Sequence, residues 1–238
     1  MKRKAILVAV SLLAIGSQAW ANSYNEDVTV NQTGLGQSAT VTETNGTSDN
    51  VTINQSGGGI FSPADTATVT QTNTYDNWNT AITQSGSGDQ AAIAQTGAQY
   101  NNVSVNQTGD KAVASVTQNA EAADTDKIGQ GGTGESATIL QQYGADNTVN
   151  VNQDVADRGA GAGNTAYVDQ EASFGSTADV TQSGLGNYAQ TYQSGSDNYL
   201  NISQSLATNH AYVTQIGNGN SSTVTQTGVG NYANITQH

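Results

Sequence analysis

From Gln32 to Gln237 the chain returns to a glutamine at nearly constant intervals, each preceded at alternate positions by apolar or small side chains. The anchors are Gln32, Gln55, Gln71, Gln84, Gln95, Gln107, Gln118, Gln130, Gln141, Gln153, Gln170, Gln182, Gln193, Gln204, Gln215, Gln226 and Gln237, with Glu43 standing in a glutamine place. That makes eighteen units, and of their seventeen spacings nine are 11 and five are 12. Scattered glutamines do not produce this, so the repeat constrains the fold before any other feature. The unit at Gln130 is the weakest copy, with Asp126 and Ile128 where others carry two apolar residues.

Within a unit the period is two, as in Val103, Val105, Gln107 or Leu200, Ile202, Gln204. Alternation over five to seven residues rich in Val, Ile and Thr predicts a short strand. Residues two apart share a face, so glutamine lies on the same face as Val and Ile. Six residues earlier, on that face, stand Asn101, Asn147, Asn164, Asn187, Asn198, Asn209, Asn220 and Asn231, replaced elsewhere by Asp49, Asp65, Asp89 and Asp124. Ten anchors are followed after one residue by glycine, as at Gly109 and Gly195, which suits a tight turn with positive φ.

A strand of about seven residues and a turn of about four make one unit, and two units make one coil. The pattern predicts an all-β fold, a β-solenoid of about nine strand–turn–strand coils stacked as parallel in-register sheets, cross-β on polymerisation. A sandwich would need more large apolar side chains than these strands carry. A calcium-binding nonapeptide roll would need Gly-Gly-x-Gly-x-Asp repeats, which are missing. Stacking also accounts for the inward amides. An unsatisfied buried amide costs about 1–3 kcal/mol, but a glutamine above a glutamine bonds to it, and the column satisfies itself. The bland alternative sets each glutamine at a solvated strand end.

Residues 1–21 read as a secretory signal peptide: Lys2, Arg3 and Lys4, the apolar run AILVAVSLLAIG, then Ala19-Trp20-Ala21 with cleavage after Ala21. Residues 22–27 form a short N-terminal segment and 28–238 the repeat solenoid. Processing leaves Lys111, Lys127 and Arg158 against 19 acidic residues. Such a polyanion has no electrostatic footprint for nucleic acid. There is no cysteine, so neither disulfides nor a Cys-bound metal hold an exported fold together. Only 35% of residues are hydrophobic, a composition that without the repeat would suggest disorder.

Three stretches break the rhythm and are expected to bulge as loops: 56–65 with the single proline Pro63, the acidic 119–127, and 154–164. They read as gatekeepers against premature aggregation or as tolerated insertions. No capping repeat is visible: the first strand is expected near Asp27 and Gln237 is followed only by His238, so both terminal coils would offer unpaired backbone. Outward Thr pairs recur at only three units (Thr40/Thr42, Thr68/Thr70, Thr223/Thr225), too few for an ice-binding array. Tyr188, His210 and Tyr232 should share an outward column. His210 and His238 have no ligand set around them, no nucleophile–base arrangement is present, and neither an enzyme nor a cofactor is expected.

The unit Gln226, Gly228, Asn231, Ala233, Ile235, Gln237 resembles the repeat of curlins, the subunits of bacterial curli amyloid fibres; Gln215–Gln226 and Gln193–Gln204 are similar. The resemblance covers most of 28–237, with the best copies after Gln182. It implies a β-solenoid subunit secreted through the periplasm and an outer-membrane channel, forming a homopolymer fibre at the cell surface that serves adhesion and biofilm. It also implies a nucleating minor subunit as partner, and contacts with host or matrix surfaces. The family's inward polar positions are its polymerisation determinants, here Gln182, Asn187, Gln193, Asn198, Gln204, Asn209, Gln215, Asn220, Gln226, Asn231 and Gln237. Major curlins carry five repeats where this chain has about nine, and a Gly-rich segment precedes theirs where only NSYNED stands here. The last repeat lacks the Lys and Arg of the nucleating type, which points to a major-subunit role. The alternatives are a monomeric solenoid adhesin and a minor nucleating subunit.

Overall fold

The computed structural model describes residues 17–24, 26–57, 62–77, 79–154 and 163–238. The described residues form strands β1 (Ser17–Tyr24), β2 (Asp27–Gly34), β3 (Ser38–Thr47), β4 (Asn50–Gly57), β5 (Thr66–Thr72) and β6 (Asn79–Gly86). Then come β7 (Gln90–Thr96), β8 (Asn102–Gln107), β9 (Val113–Asn119), β10 (Thr125–Gln130), β11 (Ser136–Gln142) and β12 (Thr148–Asp154). The last are β13 (Thr165–Phe174), β14 (Thr177–Leu185), β15 (Tyr188–Ser196), β16 (Tyr199–Ala207), β17 (His210–Ile216), β18 (Ser221–Val229) and β19 (Tyr232–Gln237).

The odd strands form one ten-stranded sheet and the even strands a nine-stranded sheet, every pairing parallel and each strand inside a sheet bonded to the strands two before and two after it. This is the expected solenoid of about nine coils. The register is that of the repeat: Gln32 lies opposite Gln55, Gln182 opposite Gln204, and Gln193 opposite Gln215. Each sheet turns one row of Val and Ile and one mainly of Ala and Val inward, among them Val30, Ile53, Ile82, Val105 and Ile128 in the even sheet. The core is thin, and successive coils are also tied along the stack by ladder hydrogen bonds. β-Branched side chains suit it because they pack on a pleated surface with little rotamer loss.

At the turns the structure changes the reason for glycine. Gly34, Gly184 and Gly195 do adopt positive φ, but Gly86 and Gly109 do not. A Cβ at Gly109 would collide with the carbonyl oxygen of Gly132 one coil along. Turn stacks directly on turn there, and the hydrogen atom of glycine is what the spacing admits.

Two expectations are corrected. The first strand is not the one near Asp27: Ser17–Tyr24 already forms β1, with Ser17 opposite Ala39 and Ala21 opposite Glu43 on β3. Its sequence has little Val or Ile, and among the described residues it pairs with the edge of β3. The stretch 119–127 does not bulge either. Asn119 closes β9, a short turn follows, and Thr125, Asp126 and Lys127 enter β10 in register with β8 and β12. Its acidity masked a regular spacing. The rest of the proposed leader, 1–16, and the centres of the other two insertions, 58–61 and 155–162, lie outside the described residues.

Candidate functional site

The interior carries two columns of amides along the solenoid. In the even sheet each glutamine donates from Nε2 to Oε1 of the next, from Gln32 through Gln226, at 2.7–2.9 Å. In the odd sheet the same ladder runs from Gln71 to Gln237 at 2.7–3.1 Å. Every bond points the same way, from the lower-numbered glutamine to the higher.

The second N–H of most of these amides has its own acceptor, which sequence reasoning missed. Gln182 donates to the Thr165 carbonyl at 2.9 Å, Gln204 to Tyr188 at 2.9 Å, and Gln215 to Tyr199 at 2.9 Å. The acceptor belongs to the other sheet, so the amide that builds the ladder also clasps the two sheets together. No sequence signal marks this where the acceptor is a backbone carbonyl; Gln71 and Gln118 instead donate to the side chains of Thr80 and Asp126 on the other sheet.

The asparagine column does different work. Asn187, Asn198, Asn209, Asn220 and Asn231 each donate from Nδ2 to the carbonyl four residues before, at 2.8–3.3 Å, and so close the turn after the glutamine. Their Oδ1 atoms receive the backbone N–H of the column residue one coil on: Asn209 N on Asn187 at 3.1 Å, Asn220 N on Asn198 at 3.0 Å, Asn231 N on Asn209 at 3.0 Å. Gln182, Asn187, Gln193, Asn198, Gln204, Asn209, Gln215 and Gln226 are all buried, whereas Asn220 and Gln237 are half-buried and Asn231 is exposed. β18 and β19 are edge strands, and that is why Asn220, Asn231 and Gln237, in or beside them, are the accessible amides.

Where the column holds acid the turn is completed only in part. Asp65 and Asp89 accept backbone N–H groups from Asp89 and Ala112, but a carboxylate cannot donate, and one oxygen of each is left buried without a partner. Burial pushes Asp89 up to about 6 and Glu135 up to about 7. Burial, then a hydrogen bond and charge repulsion from Asp124, take Glu121 to about 9, while burial raises Asp124 to about 6. Asp126 stands well above the usual range, chiefly through burial and then through Asp124. Among the described residues no group of three or more His, Cys, Asp or Glu is placed to hold a metal ion.

Outside, Tyr188, His210 and Tyr232 share a register column as expected. Tyr188 stacks on His210 with centroids 5.9 Å apart. Tyr212, one position over, joins the group at 5.5 Å from Tyr188 and 5.7 Å from Tyr232. The aromatic cluster is therefore two columns wide.

The curlin associated repeat matches residues 175–205 and 208–238. These two stretches contain β14 to β19 almost entirely, where the Gln and Asn columns are most regular, and the match supports assignment to the curlin family. No curated protein sequence matches the chain.

Proposed function

We propose that this chain is a structural subunit of extracellular curli-like amyloid fibres, assembling with copies of itself by continuing its two sheets, and serving adhesion and biofilm. The observation that carries the reading is the one-way glutamine ladder over in-register strands. The ladder reaches the edge strands β18 and β19 at Gln226 and Gln237, and at the opposite end of the odd sheet Glu43 on β3 faces Ala21 rather than a glutamine. The curlin repeats at 175–238 support it.

The strand count supports it too. With β1 present the sheets have ten and nine strands, and a copy stacked on such an edge leaves one rung empty. The proposed cleavage after Ala21 removes most of β1 and equalises the sheets. β2 of the next copy then continues β18, and β3 continues β19. The leader, the outer-membrane channel, a nucleating partner and the fibre's surface location belong to the same proposal, as does a structural rather than enzymatic role.

Purified processed chain is expected to gain cross-β structure after a lag that preformed seeds abolish, read by a fibril-binding dye and fibre diffraction. A folded chain that stays monomeric on size exclusion at high concentration sinks the proposal and leaves the monomeric adhesin.

A further inference from the structure

The odd-sheet ladder is broken at one rung. Glu43 lies in register with Gln71, where every later pair in that sheet is glutamine on glutamine. Glu43 is 2% exposed and Gln71 fully buried. No N–H or hydroxyl group donates to either Glu43 oxygen or to Gln71 Oε1, and the side chain within hydrogen-bonding reach of Glu43 is a second acid, Glu26. All three atoms are acceptors, so the gap closes only if a proton is supplied. A neutral carboxyl supplies it, because it then has one acceptor and one donor on the same fork, as a primary amide does.

The surroundings favour that proton. β1 places Ala21 opposite Glu43, β5 places Gln71 there, and the charged groups facing it are Glu26, before β2, and Asp49, before β4, both acidic. Asp49 is itself held by the Thr74 hydroxyl and the Asn77 N–H, with Asp76 beyond. Burial first, then Glu26 and Asp49, raise Glu43 to about 8.

We propose that Glu43 is a proton-carrying rung: the Glu43–Gln71 rung closes, and carries the ladder on from a second copy's Gln237 amide at the β3 edge, only when the Glu43 carboxyl is neutral. The docking half rests on the self-assembly reading above; the closing of the rung does not. A neutral Glu43 accepts from the incoming Gln237 and donates on to Gln71 or Glu26. An ionised one can accept but not pass the bond along. The sign follows: the folded state holds the proton at a pH where the unfolded chain has lost it, so stability is full below about 4.5, falls through the interval up to about 8, and is lowest above it.

The test compares processed wild-type chain with Glu43→Gln, an isosteric copy of the neutral acid. The remaining carboxylates are common to both and cancel. Seeded elongation of the two is expected to match at pH 5, and at pH 9 the wild type should be slower by about tenfold or more, the effect of at least one pKa unit. Thermal midpoints of the unprocessed chains, in which β1 still covers the β3 edge, should separate over the same interval. A difference that does not change with pH, or a variant that fails to fold at pH 5, overturns the rung. If neither chain elongates while the midpoints separate as stated, the rung stands and the self-assembly reading falls.

Discussion

At the scale of single residues the interior is an exercise in placing N–H groups. A buried glutamine at this position has two to satisfy, and Gln204 places one on Gln226 Oε1 and the other on the Tyr188 carbonyl, at 2.8 and 2.9 Å. Gln204→Ala leaves three buried partners short, since Gln182 also donates to it, and should cost on the order of 3 kcal/mol in a chemical denaturation series. Asp89→Asn is expected to act in the opposite direction. Asp89 is raised to about 6 by burial, so the native protein loses stability as pH climbs from about 4 to about 6. The amide does not titrate and can donate to the turn, and the variant should gain on the order of 1 kcal/mol at pH 8 but little at pH 4. The glutamine and asparagine columns were legible because period two fixes the face. The cross-sheet acceptors were not, because a carbonyl has no letter in the sequence.

At the scale of the element, β10 shows what pairing does to a weak strand. Its inward positions are Asp126, Ile128 and Gln130, between Val103, Val105 and Gln107 on β8 and Val149, Val151 and Gln153 on β12. Neighbours above and below impose the register, and Asp126 is carried into an apolar row with only the Gln118 amide, at 3.0 Å, for a partner. Asp126→Val should raise stability at pH 7 by on the order of 2 kcal/mol, from buried methyls gained and a costly polar group removed. The gain should shrink in acid, where the native aspartic acid is neutral, and thermal melts at pH 4 and pH 7 would show it. Local sequence alone marked 119–127 as a loop because charge and composition point that way, and only the constant spacing from Gln118 to Gln130 pointed to a strand. β1 was missed for a related reason: its residues have no strand signal of their own, and the template that orders them lies a coil away.

At the scale of the whole molecule the chain is uneven. Among the described residues every buried acid, from Glu26 through Asp49, Asp89, Asp124 and Asp126 to Glu135, lies at or before 135. The buried polar residues described beyond it are Asn, Gln, Ser and Thr. Hydrogen exchange, corrected for its intrinsic pH dependence, should show strands up to β10 losing protection from pH 5 to pH 8 while β14 to β17 keep theirs. Equal loss along the chain would contradict this division. The boundary was not apparent in the sequence, where acids also stand on outward faces, as Asp169 and Asp179 do. The ladder itself has a last consequence. Fifteen glutamine bonds share one sense, and only the Asn209–Asn187 and Asn231–Asn209 amide pairs run against them. Each rung is a small dipole, and aligned dipoles add. A filament built of such subunits has a head and a tail that differ electrically: one tip offers hydrogen, the other lone pairs. Its two tips therefore capture new subunits at unequal rates, and single filaments watched in real time should lengthen mainly in one direction.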